Sequence, residues 1–351
     1  MQKANLIRAG LLAVILSLVA VLSWEFYLRH TYFSLPDGLK FSYDDNSALW
    51  ANKRAMVYEP ADQATVFIGS SRMRFDLDIP LWQRMTGEHA IQLAQDGGDP
   101  RPVLTDLAND KNFKGKLIID VTEGIFFYFD EPKTTRQIKY YHAITPTQKF
   151  SFQVNHFLES NFDFLDEDNF SLNIMLGKIK FPRRPGVIPD VVWPTVGAII
   201  NFDRQEYFTP AFLADSNMSN ATKANWVFFF KEYPDTPVMG KKLDSLIFHV
   251  KENIDKIKAR GGQVIFVRTP SNGYYKERED KDYPRKLYWD RLLELTGCQG
   301  IYFGDYPAIA HFTCPEWSHL RLDDARTYTA NLVDILRTEK GWTFNNKSNT
   351  Q

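Results

Sequence analysis

Cysteine is nearly absent from this chain, with two in 351 residues, Cys298 and Cys314. So few cannot build a disulfide scaffold or a four-cysteine zinc site. They could join in one disulfide ahead of His319 or stay as two buried thiols, and the sequence favours neither. Excess charge is also missing: 42 Lys and Arg balance 43 Asp and Glu, for a net charge of −1. That balance excludes a strongly basic surface, so no nucleic-acid partner is expected. The 7 histidines show no metal-ligand spacing, so neither a metal nor another cofactor is expected. Internal repeats and low-complexity tracts are lacking, which argues against a solenoid or a disordered tail. What remains is a chain that is 44% hydrophobic and 15% aromatic, long enough for one large domain with a sizeable core.

The one long apolar run lies at the N-terminus. Lys3 and Arg8 precede the uncharged stretch Ala9 to Trp24. With the flank Glu25-Phe26-Tyr27 it approaches the ~20 residues that cross a bilayer. Trp24 and Tyr27 suit the interfacial belt, and the positive end belongs on the cytoplasmic side. A cleaved signal peptide competes with this reading, but Ala20-Val21-Leu22 is a poor cleavage site because Leu22 is bulky. The expectation is an uncleaved anchor over 1–30, with Thr31 onward outside the cytoplasm. A stalk and lead-in follow over 31–64, then a domain over 65–340 and a tail over 341–351.

Within the domain, short β-branched and aromatic runs alternate with helical spacing. Thr65-Val66-Phe67-Ile68, Ala90-Ile91-Gln92-Leu93-Ala94 and Leu117-Ile118-Ile119-Asp120-Val121 read as buried strands. The segment Val103 to Asn112 is helical between the second and third. From 126 to 238 the rhythm breaks into an aromatic, Pro/Asn/Asp-rich stretch, too hydrophobic to be disordered. It reads as a large insertion covering the sheet edge, with helical pieces at Gln148 to Leu165 and Asn220 to Glu232. The alternation then resumes. Leu243, Leu246, Ile247, Val250, Ile254 and Ile257 recur at helical spacing, and Gly261-Gly262 stops that helix. Val264 to Val267 is a fourth strand, Lys286 to Gly297 a helix, and Ile301 to Phe303 a fifth strand. A last helix starts near Asp323-Asp324. Such alternation predicts an α/β fold: a flavodoxin-like, three-layer α/β/α domain on a five-stranded parallel sheet, strand order 2-1-3-4-5.

The chemistry gathers at strand ends. Gly69-Ser70-Ser71 closes the first strand, where ligands bind in open α/β sheets. Asp96-Gly97-Gly98 closes the second. Glu316-Trp317-Ser318-His319 lies between the fifth strand and the last helix. Nucleophilic serine catalysis needs a base in reach and a third group to orient that base. A carboxylate three residues before a histidine can hold one ring nitrogen and leave the other free for Ser71. Arg72, Arg74 and Arg268 stand near the strand tips as candidate contacts for an anionic substrate, although solvated or salt-bridged arginine is the favoured reading.

This set, Gly69-Ser70-Ser71, the glycine turn Gly97-Gly98 and Glu316-x-x-His319 ahead of the final helix, resembles the SGNH (GDSL-like) hydrolase superfamily. In particular it is similar to the membrane-anchored branch related to the D-alanyl transfer protein DltD and the periplasmic alginate O-acetylation proteins. The resemblance covers roughly Thr65 to Val121 and Asp244 to Leu336. It implies Ser71 as nucleophile, His319 as base and Glu316 where the family usually has Asp. The backbone N–H groups of Ser71 and of Gly97 or Gly98 match oxyanion-hole donors. It further implies a single-pass protein of a bacterial inner membrane with its domain in the periplasm. That domain would be an esterase or O-acyltransferase on an acylated glycan or other envelope polymer, with a membrane acyltransferase as partner for acyl transfer. One departure stands out. The family's Gly-x-Asn-Asp block is replaced by Asp120-Val121-Thr122-Glu123-Gly124, so one oxyanion donor is missing or is supplied by Thr122. That absence keeps a non-catalytic glycan-binding or scaffold role as the alternative.

Overall fold

The computed structural model describes residues 2–32, 43–128, 135–166, 170, 176, 193–194, 197–234 and 236–345. The remaining parts of the expected stalk, insertion and tail lie outside the described residues.

Helix α1 (Gln2–Tyr32) contains the span Ala4–His30, long and apolar enough to cross a membrane. At ~1.5 Å per residue its 27 residues run about 40 Å, more than a ~30 Å hydrocarbon core. Its far end is held by the body. Leu28 is fully buried with Phe170, Ile199 and Tyr207. The Glu25 carboxylate accepts the backbone N–H groups of Asp163 and Phe164, both at 3.0 Å.

Helix α2 (Ser47–Ala55) is capped by Asn46, whose side chain accepts from the N–H groups of Ala48 and Leu49. This part of the expected lead-in belongs to the body. Trp50 is fully buried and its indole N–H donates to the Leu93 carbonyl at 3.0 Å. Arg54, also fully buried, pairs with Asp106 and Asp110 at 2.7 and 2.9 Å. An amphipathic turn carrying Trp and Arg inward was not legible as core from its turn-rich flank.

The alternation then runs β1 (Ala64–Ile68), α3 (Ser71–Phe75), α4 (Ile79–Thr86), β2 (His89–Gln92), α5 (Arg101–Asn109) and β3 (Lys116–Asp120). A short α6 (Glu123–Phe126) leads into the insertion, which holds α7 (Thr135–Ala143), α8 (Pro146–Glu159), an antiparallel hairpin of β4 (Ala198–Ile200) and β5 (Glu206–Phe208), α9 (Pro210–Ala214) and α10 (Ser216–Glu232). The chain ends with α11 (Lys241–Lys258), β6 (Gln263–Arg268), α12 (Gly273–Asp282), α13 (Trp289–Thr296), β7 (Gln299–Tyr302), α14 (Pro307–Ala310) and α15 (Leu322–Thr338). Helix α8 stops at Glu159 rather than running to Leu165, where a separate 3-10 turn covers Asp163–Leu165.

The five main strands are parallel in the order β2-β1-β3-β6-β7. With the hairpin of the insertion set aside, this is the expected 2-1-3-4-5. Val66 sits beside Ile91 and Leu117, Ile118 beside Ile265, and Val267 beside Ile301. Every residue of β1 and β3 is buried, as a strand covered on both faces must be. Helix α4 packs with α15, while α5 and α13 pack with α11. Two such groups of helices are compatible with a three-layer α/β/α arrangement. Cys298 and Cys314 are both buried and free, so no disulfide forms between them.

The chain steps from β1 outward to β2 and then back across to β3. That reversal leaves a crevice at the carboxyl ends of β1 and β3.

Candidate active site

The turn after β1 fills that crevice. Gly69 passes so close to Asp120 at the end of β3 that any Cβ would overlap the aspartate's own Cβ. Ser70 is locked in place. Its N–H and hydroxyl reach Asp120 Oδ2 at 3.2 and 3.0 Å, and its oxygen caps α3 by accepting from the Arg72 N–H. With 2% exposure it is a structural serine. Ser71, the first residue of α3, is half-buried and lines the cavity.

Ser71 Oγ lies 2.8 Å from His319 Nε2, and His319 Nδ1 lies 2.9 Å from Glu316 Oε1. The carboxylate is fully buried. Its Oε1 also accepts the backbone N–H groups of Ser318 and His319 at 3.0 and 2.7 Å, and its Oε2 accepts the Trp226 indole N–H. Trp317, at φ 80°, takes the left-handed backbone that folds Glu316 back onto His319. Such a conformation costs a non-glycine residue on the order of 1–3 kcal/mol. The strained turn is held from outside, because the Asn272 N–H donates to the Trp317 carbonyl at 3.0 Å. The imidazole is framed by Phe75, ring centroids 4.4 Å apart, and more distantly by Phe208 and Trp226. Beyond it, Asp76 Oδ1 accepts the Leu320 N–H at 2.9 Å.

Burial would push the Glu316 carboxyl up, but the His319 ring, its hydrogen bonds and the Trp226 N–H outweigh burial and hold it below its usual range. Asp76 goes the other way. Burial raises it to about 7, against the Leu320 N–H, His319 and Arg72.

These groups open on a cavity of about 610 Å³, within the range that takes a small ligand. One wall is aromatic, with Phe75, Phe208, Phe212, Trp226 and Phe229. The other is polar, where Arg74 pairs with Asp45, Asp96 and Glu206 at 2.8, 2.9 and 3.1 Å. Burial and the neighbouring Asp96 raise Glu206 well above its ordinary value. Asp45 is disfavoured by burial, yet Arg204 and Arg74 bring it to about 2. Among the described residues no group of three His, Cys, Asp or Glu side chains is placed to hold a metal ion. A larger cleft, about 1050 Å³, lies among α2, α5, α7 and α8 and contains none of the triad.

The other expected site residues divide between the cavity lining and the interior behind it. Gly97 lines the cavity in a left-handed turn, φ 55°. Gly98 is buried and its N–H already donates to the Gln95 carbonyl at 2.9 Å, so of the two only Gly97 faces the cavity. Thr122 is no substitute donor either. It is 3% exposed and bonded to Ser70 and Asp120. Arg72 and Arg268 stand behind the cavity wall. Arg72 donates to Ser318 Oγ, pairs with Glu279 at 2.8 Å and lies over the Tyr275 ring. Arg268 is fully buried between Glu123 and Glu279. Of the three arginines, Arg74 alone lines the cavity.

The chain matches no known family model and no curated protein. Several parts of the site had no signal in sequence. Trp226 is 90 residues from Glu316, and the roles of Asp120 and Glu279 are long-range pairings. A hint existed in Arg72 and Arg74, charges set directly after a buried strand and therefore in need of carboxylate partners.

Proposed function

We propose that this protein is a serine-dependent acyl-ester transferase or esterase of the SGNH type, anchored in a membrane and acting on a cell-surface glycan. The observation that carries the reading is the unbroken chain Ser71–His319–Glu316, with steps of 2.8 and 2.9 Å, opening on a cavity. As Ser71 Oγ attacks an ester carbonyl, its proton passes to His319 Nε2. The imidazolium so formed is stabilised by Glu316. The carbonyl electrons move onto oxygen, beside the N–H groups of Ser71 and Gly97. Collapse of this intermediate breaks the bond to the alcohol, which takes the proton from His319 and leaves an acyl-Ser71 ester. A sugar hydroxyl or water, deprotonated by His319, then attacks the acyl carbon and frees Ser71.

The aromatic wall suits the acyl group or a sugar ring face, and the wall of Arg74, Asp45, Asp96 and Glu206 suits hydroxyl groups. The span Ala4–His30, with Lys3 and Arg8 at its start, favours an inner-membrane anchor with the domain outside the cytoplasm. Intact-protein mass spectrometry after mixing with an activated acetyl ester tests the chemistry. An acetyl adduct on Ser71 that transfers to added sugar supports a transferase, and one released only to water supports an esterase. Absence of any adduct would sink both.

A scaffold or binding role on the same fold has one observation in its favour. Asp120 and Thr122 occupy the place of the family's asparagine block and are spent on holding Ser70. If the folded protein binds glycan yet forms no adduct, that role replaces the catalytic one.

A further inference from the structure

Helix α8 carries apolar residues on two opposite faces. One face packs on the body: Phe152 and His156 stack on Phe202, with ring centroids 6.4 and 3.9 Å apart. Just past the helix, Ser160 shares a 2.6 Å hydrogen bond with the Tyr43 hydroxyl. These contacts fix the rotation of the helix. The opposite face presents Phe150, Val154 and Phe157, which are 72%, 43% and 67% exposed. Their spacing of four and three residues makes one stripe, and the packed face prevents it from turning inward.

The end of α8 is tied to α1. Four residues past Phe157, the Asn161 carbonyl accepts from Arg29 at 2.7 Å. Two and three residues further on, Glu25 accepts the backbone N–H groups of Asp163 and Phe164. Glu25 and Arg29 lie at the C-terminal end of the span Ala4–His30. Since ~20 residues fill the hydrocarbon core, these two side chains fall at the outer interface and bring Asn161 there. Across α8, Pro146–Glu159, Lys149 is the one Lys or Arg and Glu159, at the last position, the one acidic residue, so the stripe itself carries no charge that would repel anionic headgroups.

We propose that α8 lies in the outer headgroup–acyl boundary of the bilayer that α1 spans, with Phe150, Val154 and Phe157 set among the lipid chains. This rests on α1 spanning the bilayer. A second membrane contact stops the body from swinging about a single helix. It also holds the cavity near the bilayer, because Ile199 packs with Leu28 on one side and lines the cavity on the other. A substrate bearing a lipid tail could then reach Ser71 without leaving the membrane surface.

The test uses full-length protein in nanodiscs of phosphatidylethanolamine and phosphatidylglycerol. Single nitroxide labels are placed by Val154→Cys, Phe157→Cys, Leu16→Cys and Phe248→Cys; the native cysteines are buried. Phe248 is 57% exposed, on α11, and serves as the water-facing reference. The ratio of oxygen to nickel-chelate collision rates should be several-fold higher at Val154, Phe157 and Leu16 than at Phe248. If Val154 and Phe157 match Phe248 while Leu16 stays lipid-exposed, the placement of α8 is wrong and the anchor stands. If Leu16 also matches Phe248, the spanning helix fails and the proposal with it. Shielding of Val154 and Phe157 from both reagents would mean a protein contact and would equally overturn it.

Discussion

Replacing Glu316 by Gln tests the site most finely, because the surroundings dictate how the amide must sit. Three donors converge on Oε1: the backbone N–H groups of Ser318 and His319, and His319 Nδ1. One donor, the Trp226 indole, meets Oε2. An amide NH₂ facing three donors is excluded, so the Gln oxygen takes the Oε1 place and the NH₂ faces Trp226. The imidazole therefore keeps its Nδ1 proton and its tautomer, and the ~10⁴-fold loss that follows a wrong tautomer is avoided. What is lost is the acceptor's charge, so that a bond of about 1.5–3 kcal/mol to the developing imidazolium becomes a neutral one of about 0.5–1.5 kcal/mol. At about 1.4 kcal/mol per tenfold, a difference of about 1–1.5 kcal/mol should lower kcat/KM for p-nitrophenyl acetate roughly 5- to 12-fold. The NH₂ against the indole N–H adds a clash that Trp226→Phe removes. Glu316→Gln combined with Trp226→Phe should therefore be no worse than Glu316→Gln alone, and more stable in urea. A loss as large as that of Ser71→Ala, or none at all, would refute this account of Glu316.

Three further predictions concern the scaffold. Gly69→Ala forces a Cβ into Asp120 and should cost about 1–3 kcal/mol, read as a lower urea midpoint; an unchanged midpoint contradicts the close approach. Arg268→Met leaves Glu123 and Glu279 buried without their shared cation. It should cost about 3–5 kcal/mol, partly restored by adding Glu123→Gln, with differential scanning calorimetry as the check. Asp76 titrates at about 7 when folded, against 3.8 ordinarily. Between those values the folded protein holds a proton that the unfolded chain has lost, so its contribution to stability falls as pH rises. Asp76→Asn should thus gain on the native protein from pH 4 to 7 and level off above, by at most roughly 4 kcal/mol. A gain that does not vary with pH would contradict the raised carboxyl.

The sheet was legible because its strands are short with apolar, mostly β-branched centres, and glycine-containing turns follow the first three. Their order follows from crossover rules that act on such a rhythm. Ser71, His319 and Glu316 were legible because each stands at a strand end or just before the last helix. The hairpin of β4 and β5 was not, since three-residue strands carry too little periodicity to be seen. The choice between Gly97 and Gly98 depended on which N–H the turn itself consumes, and spacing carries no record of that. At strand tips Arg72 and Arg268 could equally meet a substrate or carboxylates of the chain itself, and the second is what the fold shows. Only the fold reveals that Glu123 and Glu279, distant in sequence or in another element, meet them in the interior.

The central claim is that Ser71 is an activated nucleophile, and labelling by a fluorophosphonate probe measures that directly. The folded protein should be labelled at Ser71 and nowhere else, Ser71→Ala should not be labelled, and Ser70→Ala should keep its label at reduced stability. No labelling of the folded protein, or equal labelling of Ser71→Ala, would contradict it.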